Sequence, residues 1–208
     1  SKIGKDLPIS KKADYIEPDE LLNLYENNKD FVIIDARNSY EANIGKFKNA
    51  VIAKIDNFRE FPEFAKKLEV YRDKEVVAYC TGGIRCEKAS AYLRQNGFKK
   101  VRQLHGGIHE YAKKTGGKYF EGEMFVFDKR LHLPVNQIDP TIISSCIYCQ
   151  KPVTRYIDCA VKSHHSLFIC CNSCEQKYSG TCSTGCLKTL QGQKKEIDSQ
   201  TQQPNQFP

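Results

Sequence analysis

With 208 residues, 40% of them hydrophobic, the chain has room for one α/β domain of ordinary size and a small second module. It contains no run of 18 or more apolar residues and no signal-peptide core, so composition excludes an apolar membrane-spanning helix and gives no sign of an oxidising compartment. A net charge of +7 is compatible with an RNA partner, but the lysines and arginines are scattered and solvated surface charge explains most of them.

In chain order, residues 1–14 are basic and polar and read as a linker. Pro18-Asp19-Glu20 opens a short helix through Leu21 to Tyr25, with acids where the helix dipole favours them. Phe31-Val32-Ile33-Ile34-Asp35 is an apolar run of strand length, ending in a polar turn from Asp35 through Arg37 to Glu41. Ala50-Val51-Ile52-Ala53 is a second short strand. Phe61, Phe64, Ala65 and Leu68 lie at the spacing of one helix face. Val76-Val77-Ala78-Tyr79 reads as a buried strand and Ala89 to Leu93 as a helix. Val101 to Leu104 is a further strand, followed by His105-Gly106-Gly107-Ile108 and a helix to Lys114. Alternating short strands and helices predict an α/β unit with a mainly parallel sheet. Ligands of such sheets bind beyond the carboxyl ends of the strands, where Asp35, Cys80 and His105 all fall.

The nine residues from Cys80 to Lys88 carry the most chemistry: Cys80-Thr81-Gly82-Gly83-Ile84-Arg85-Cys86-Glu87-Lys88. A cysteine at a strand end, a glycine-containing loop and a helix start together lower a thiol's pKa. Glycines let the loop's N–H groups curl onto the sulfur, and Arg85 adds a fixed charge and a bidentate donor for an oxyanion or phosphate. A buried, inert Cys80 is the competing reading; the Gly-Gly pair and Arg85 favour a nucleophile in an anion cradle. Cys86, in the first turn of the helix, reads as packed, or else as a resolving thiol for Cys80. Glu87 would raise its pKa if close. Of the scattered basic residues, Lys99-Lys100-x-Arg102 is the cluster to test first for RNA contact.

Eight of the ten cysteines fall between residues 146 and 186: Cys146, Cys149, Cys159, Cys170, Cys171, Cys174, Cys182 and Cys186, with His164 and His165 among them. The repeated two-residue spacing of Cys146/Cys149 and Cys171/Cys174 suits two thiolates on one tetrahedral ion, and the absence of an export signal favours zinc over disulfides. The tail from Gln191 is Gln-rich and is expected to be disordered.

The block from about Tyr15 to Lys114 resembles a rhodanese domain, through Asp35-x-Arg37 with Glu41, Cys80-x-x-Gly83-x-Arg85 and Gly106-Gly107. The longer string from Tyr79 to Lys88, together with Phe58-Arg59-Glu60-Phe61-Pro62 and Glu121 to Asp128, resembles more narrowly the tRNA uridine hydroxylases that contain a rhodanese domain. Leu167-Phe168-Ile169 and Tyr178-Ser179-Gly180 extend the resemblance into the Cys-rich part. The resemblance implies a rhodanese-like parallel sheet flanked by helices over residues 15–128, a Cys-rich zinc-binding module over 129–190 and a disordered tail over 191–208. It implies a cytoplasmic enzyme that forms 5-hydroxyuridine at the wobble position of tRNA with molecular oxygen as co-substrate and no organic cofactor. Cys80 would be the essential thiol; Arg85, Thr81, Gly82, Gly83 and Ile84 would hold an anion; Asp35, Arg37 and Glu41 would brace the loop. A buried ion pair that merely closes the fold accounts for Asp35 and Arg37 equally well.

The same pattern implies two structural zinc sites in interleaved order: Cys146, Cys149, Cys171 and Cys174 on one ion, and Cys159, His164 (or His165), Cys182 and Cys186 on the other. Cys170 stands outside both. Relatives of this type carry a further small domain ahead of the rhodanese unit, so a chain beginning at Ser1 is expected to be a fragment or a shortened form. The loop chemistry alone also permits sulfur transfer through a Cys80 persulfide, or a binding module with a vestigial site. The string from Cys86 to Lys88 and the Cys-rich tail favour hydroxylation.

Overall fold

A computed structural model of the chain describes residues 13–164 and 166–201. Residues 1–12 of the expected 1–14 linker, the alternative ligand His165 and the last seven residues lie outside that range; the last two linker positions are structured, with Ala13 buried and Asp14 opening a strand. The described chain divides into two compact units between Ile143 and Ser144.

The first unit is built on a five-stranded parallel sheet. Its strands are β1 (Asp14–Ile16), β2 (Val32–Asp35), β4 (Val51–Ile52), β5 (Glu75–Tyr79) and β6 (Lys100–Leu104), in the order β1-β6-β5-β2-β4. Strand side chains alternate between faces, so each central strand feeds two cores. Val32, Ile34 and Val76 pack with Phe61 and Phe64 of α3 (Phe61–Lys66), with Leu68 just beyond it, and with Ala89 and Leu93 of α4 (Ile84–Gln95). Ile33, Val77 and Tyr79 pack on the other face with Leu21 of α1 (Pro18–Glu26) and Ile108 and Tyr111 of α5 (Gly107–Thr115). Helices on both faces bury a parallel sheet on both sides, which is why its strands read as continuous apolar runs.

Four elements of the first unit escaped the sequence pattern, β1 among them. The turn after Asp35 contains a one-turn helix, α2 (Ser39–Ala42), closed by a capping box in which the Asn38 N–H donates to Glu41 Oε2 at 3.1 Å. A second, antiparallel sheet joins β3 (Gly45–Phe47), β7 (Phe120–Phe125) and β8 (His132–Pro134). Because β8 pairs with β7, the first unit runs on to Ile143 instead of stopping at residue 128.

The second unit is small. An antiparallel hairpin of β9 (Tyr156–Asp158) and β10 (Leu167–Ile169) precedes α6 (Asn172–Lys177) and α7 (Thr184–Thr201). Its apolar core, Ile157, Val161 and Phe168, is interleaved with cysteines. The helix α7 runs through residues 191–201, which the Gln-rich composition had assigned to a disordered tail. Gln, Lys and Glu are good helix formers once a folded segment supplies the first turn. Among the described residues no helix is long and apolar enough to cross a membrane.

Candidate active site and metal-ligand clusters

Cys80 follows β5 directly, at the carboxyl end of the central strand, and is 2% exposed. The chain then turns back on the sulfur. Gly83, at φ +91°, lets the loop curl so that its N–H donates to Cys80 Sγ at 3.1 Å, and α4 starts at the next residue. The Cys80 pKa is pulled down to about 6, first by a hydrogen bond from the Cys86 thiol, against the opposing effect of burial, then by the charge of Arg85 and the N–H groups of Cys86 and Arg85. The thiol is therefore ionised at neutral pH.

Cys86 reads from sequence as packed or as a resolving thiol for Cys80, and the structure shows it buried in the same loop. Its side chain is fully buried, and its pKa is raised, chiefly by burial and then by Cys80; Glu87 is not among the causes. Burial therefore keeps Cys86 in its thiol form next to the more acidic Cys80. At the loop's outer edge Gly82 faces open space and Ile84 is 79% exposed.

Arg85 does not offer its fork to an incoming anion. Its Nη1 and Nη2 donate to the two carboxylate oxygens of Glu41 at 2.5 and 2.7 Å, with a longer contact from Nη2 to Thr81 Oγ1 at 3.4 Å. The expectation of a free bidentate donor is corrected accordingly: Glu41, 44 residues earlier in the chain and fully buried, takes both donors. Arg85 still acts on the thiol by its charge, and Glu41 fixes where that charge sits. Glu41 is itself held by the capping box of α2 and accepts from Thr81 Oγ1 at 3.3 Å.

Asp35 and Arg37 lie wholly buried behind this pair. Arg37 Nε and Nη2 donate to Asp35 Oδ1 and Oδ2 at 2.9 and 2.6 Å, and Nη2 also donates to the Gly45 carbonyl at 2.6 Å. The Tyr79 hydroxyl donates to Asp35 Oδ2 at 2.6 Å. The network ties β2 to Tyr79, the residue before Cys80, and to the α2–β3 segment that carries Glu41. His105, also at a strand end, turns away from the sulfur: its Nδ1 lies 2.8 Å from Glu17 and its ring packs 5.0 Å from that of Tyr15. The Lys99–Lys100 pair sits at the amino end of β6, the opposite end of the sheet from Cys80. Lys99 is paired with Asp73 at 2.7 Å, and Arg102 with Glu75 and Glu20.

In the second unit the ligand candidates converge as two sets of four. Cys146, Cys149, Cys171 and Cys174 form one; Cys159, His164, Cys182 and Cys186 form the other; within each set the ligand atoms lie within 4.8 Å of one another. All ten cysteines of the chain are free thiols. Tetrahedral zinc with Zn–S of about 2.3 Å places neighbouring sulfurs roughly 3.8 Å apart. Cys149 and Cys171 stand at 3.7 Å, Cys182 and Cys186 at 3.6 Å, and His164 Nε2 is 3.2 and 3.6 Å from the two sulfurs of the latter pair. Both clusters fit a four-coordinate metal ion. Cys170 is buried outside both, its thiol donating to the Cys171 carbonyl.

Comparison with known proteins agrees with this two-part organisation. Residues 17–114 match the model of the rhodanese-like domain, and residues 121–187 match the family described as rhodanase C-terminal. A Cytophaga hutchinsonii protein named tRNA uridine(34) hydroxylase is 42% identical over 181 residues, covering 86% of this chain and 57% of that protein. Proteins of the same name from Chlamydia pneumoniae and Staphylococcus aureus are 41% identical over 192 residues and 43% over 184, covering 90% and 87% of this chain and 59% and 58% of the relatives. The chain thus spans less than three fifths of the length of the curated relatives it matches. Their similarity runs through both the thiol loop and the Cys-rich region, and the chain belongs to the rhodanese-domain family whose curated members carry the name tRNA uridine(34) hydroxylase.

Proposed function

We propose that the protein hydroxylates the wobble uridine of tRNA to 5-hydroxyuridine, using molecular oxygen as co-substrate and Cys80 as the essential thiol. The observation that carries this reading is an ionised Cys80 at the open end of the sheet, in a chain similar along both of its units to proteins named tRNA uridine(34) hydroxylase. A thiolate adds to C6 of a uracil ring and pushes an electron pair toward C5, which makes C5 the nucleophile that an electrophilic oxygen source needs. The Gly83 N–H and the Cys86 thiol hold the sulfur as its anion before attack and receive it again when the C6–S bond breaks. Arg85, pinned by Glu41, keeps a positive charge beside the sulfur and the negative charge that moves into the ring.

The two clusters of the second unit hold one zinc ion each, in a structural role. Four protein ligands fill a tetrahedral zinc, leaving no open position for substrate. So few large apolar residues could not hold this unit together without such ties. An RNA substrate fits action in the cytoplasm.

Mass spectrometry of tRNA nucleosides from cells lacking the gene, complemented with wild type or Cys80→Ser, tests the reading. The expected result is that 5-hydroxyuridine derivatives vanish and only the wild type restores them. Unchanged hydroxyuridine, with thiosulfate-to-cyanide sulfur transfer by the purified protein, would overturn it in favour of sulfur transfer.

A further inference from the structure

We propose that Cys86 is the second thiol of the reaction: with Cys80 it supplies the two electrons that hydroxylation by molecular oxygen consumes, and the pair ends each turnover as a Cys80–Cys86 disulfide. The inference rests on the hydroxylase reading above and adds to it the source of the electrons.

The requirement is arithmetic. Replacing the C5–H of uridine by C5–OH uses one atom of dioxygen. The other atom leaves as water only if two electrons and two protons are supplied. Two thiols oxidised to one disulfide release two electrons and two protons. The net reaction, uridine plus dioxygen plus two thiols giving 5-hydroxyuridine, water and a disulfide, balances without a further reductant.

The geometry puts the second thiol where this needs it. The Cys86 side chain is fully buried, so it is shielded from solvent oxidants, and its thiol lies within range to act on the charge of the Cys80 sulfur, which is itself 2% exposed. The loop brings them together across five intervening residues: the Gly83 N–H reaches back to Cys80 Sγ, and the Cys86 N–H reaches back to the Gly83 carbonyl at 3.1 Å. Such a pair divides the labour by protonation. Cys80 is the anion that attacks, and Cys86, kept protonated by burial, holds a proton in place for the leaving oxygen.

The steps follow. Cys80 adds to C6, C5 takes up dioxygen, and loss of the C5 proton with expulsion of Cys80 leaves a 5-hydroperoxide. The Cys80 thiolate attacks the outer oxygen of that hydroperoxide; the O–O bond breaks, giving 5-hydroxyuridine and a sulfenic acid on Cys80. The Cys86 sulfur displaces hydroxide from that sulfenic acid, the S–S bond forms, and its proton leaves with the hydroxide as water. An external dithiol then reduces the disulfide by thiol–disulfide exchange through the exposed edge of the loop.

A single-turnover experiment decides it. The full-length protein, reduced and freed of reductant, is mixed under air with an anticodon stem-loop RNA bearing uridine, and both product and thiols are counted by mass spectrometry. One hydroxyuridine and one Cys80–Cys86 disulfide per chain are expected, with no further product until dithiothreitol is added. Cys86→Ser keeps a hydrogen-bond donor beside Cys80 but cannot form the disulfide. It is expected to stop with Cys80 as a sulfenic acid that a 1,3-dicarbonyl probe traps, and to lose multiple turnover. Because the wild-type stoichiometry is read independently, a poorly folded variant does not blur the answer. Hydroxyuridine in excess of one per chain without reductant, or formed with both thiols still reduced, overturns the proposal while leaving the hydroxylase reading intact. No hydroxyuridine from the wild type overturns the hydroxylase reading itself, and this proposal with it.

Discussion

A Cβ on Gly107 would stand 2.4 Å from the carbonyl oxygen of Cys80 and 2.6 Å from that of Thr81. The close approach lets the first N–H groups of α5 cap the thiol loop: Ile108 donates to the Cys80 carbonyl at 3.0 Å and His109 to the Thr81 carbonyl at 3.2 Å. Gly107 also sits at φ +63°, in the left-handed region. Gly107→Ala therefore strains the backbone by about 1–2 kcal/mol before any clash is relieved. The substitution is expected to lower stability in urea unfolding by at least that much and to slow alkylation of Cys80 by iodoacetamide. Unchanged alkylation in a destabilised variant would show that α5 supports the fold without setting the loop.

The acidity of Cys80 gives a pH signature. Its folded pKa is depressed from the ordinary 9.0 to about 6, and only the anion alkylates. The rate of Cys80 carbamidomethylation should rise as pH passes through about 6 and level off by neutrality, where an ordinary thiol is still climbing. The sign carries over to stability: a depressed acid adds stability fully present above its unfolded pKa and lost as pH falls through its folded one. Stability from this thiol should thus be lost as pH drops through about 6. A profile with its midpoint near 9 would contradict the hydrogen-bonded anion.

Glu41→Gln removes the charge that anchors Arg85. Breaking a buried pair by neutralising one partner costs about 3–5 kcal/mol, and Arg85, 22% exposed, stands toward the low end of that range. Chemical denaturation should register the loss. Activity on RNA should fall together with it, and the midpoint of the Cys80 alkylation profile should move once the guanidinium is no longer pinned. A variant with wild-type stability would mean that Thr81 or solvent holds Arg85 adequately.

The metal clusters predict about two zinc ions per chain by elemental analysis. Removing them with a chelator should abolish protease resistance in the region from Ser144 onward, because its packing is shared between a small set of apolar side chains and the cysteines themselves. Zinc-free protein that retained a protected Cys-rich unit would refute the structural role.

Sequence alone went far where the signal is local. The strand ends at Asp35 and Cys80, the Gly-Gly turn at 106–107 and the candidate metal ligands rest on spacing within a few residues or on repeated CxxC pairs, whereas the interleaved pairing of those ligands came only from the family resemblance. What stayed hidden depends on partners distant in the chain. Nothing near Arg85 reveals that a carboxylate 44 residues earlier takes its fork, and the polar turn containing Glu41 conceals a helix of one turn, too short for a hydrophobic period. The strands β3 and β8 are three residues each, below the length at which alternation is visible. Cys86 was legible as packed or as a resolving thiol, but its effect on the acidity of Cys80 was not, because that depends on how sharply Gly83 bends the loop.

Ile84, four-fifths exposed where α4 begins, has a consequence for encounter. Folding leaves this side chain in water beside the thiol, so removing it from water falls to whatever arrives there. Covering it is worth roughly 1.5–3 kcal/mol, released only when a flat apolar surface, such as the face of an unstacked base, closes over the mouth of the loop. A ligand that covers Ile84 on its way to Cys80 draws on that hydration, and one that reaches Cys80 without covering it forgoes the gain.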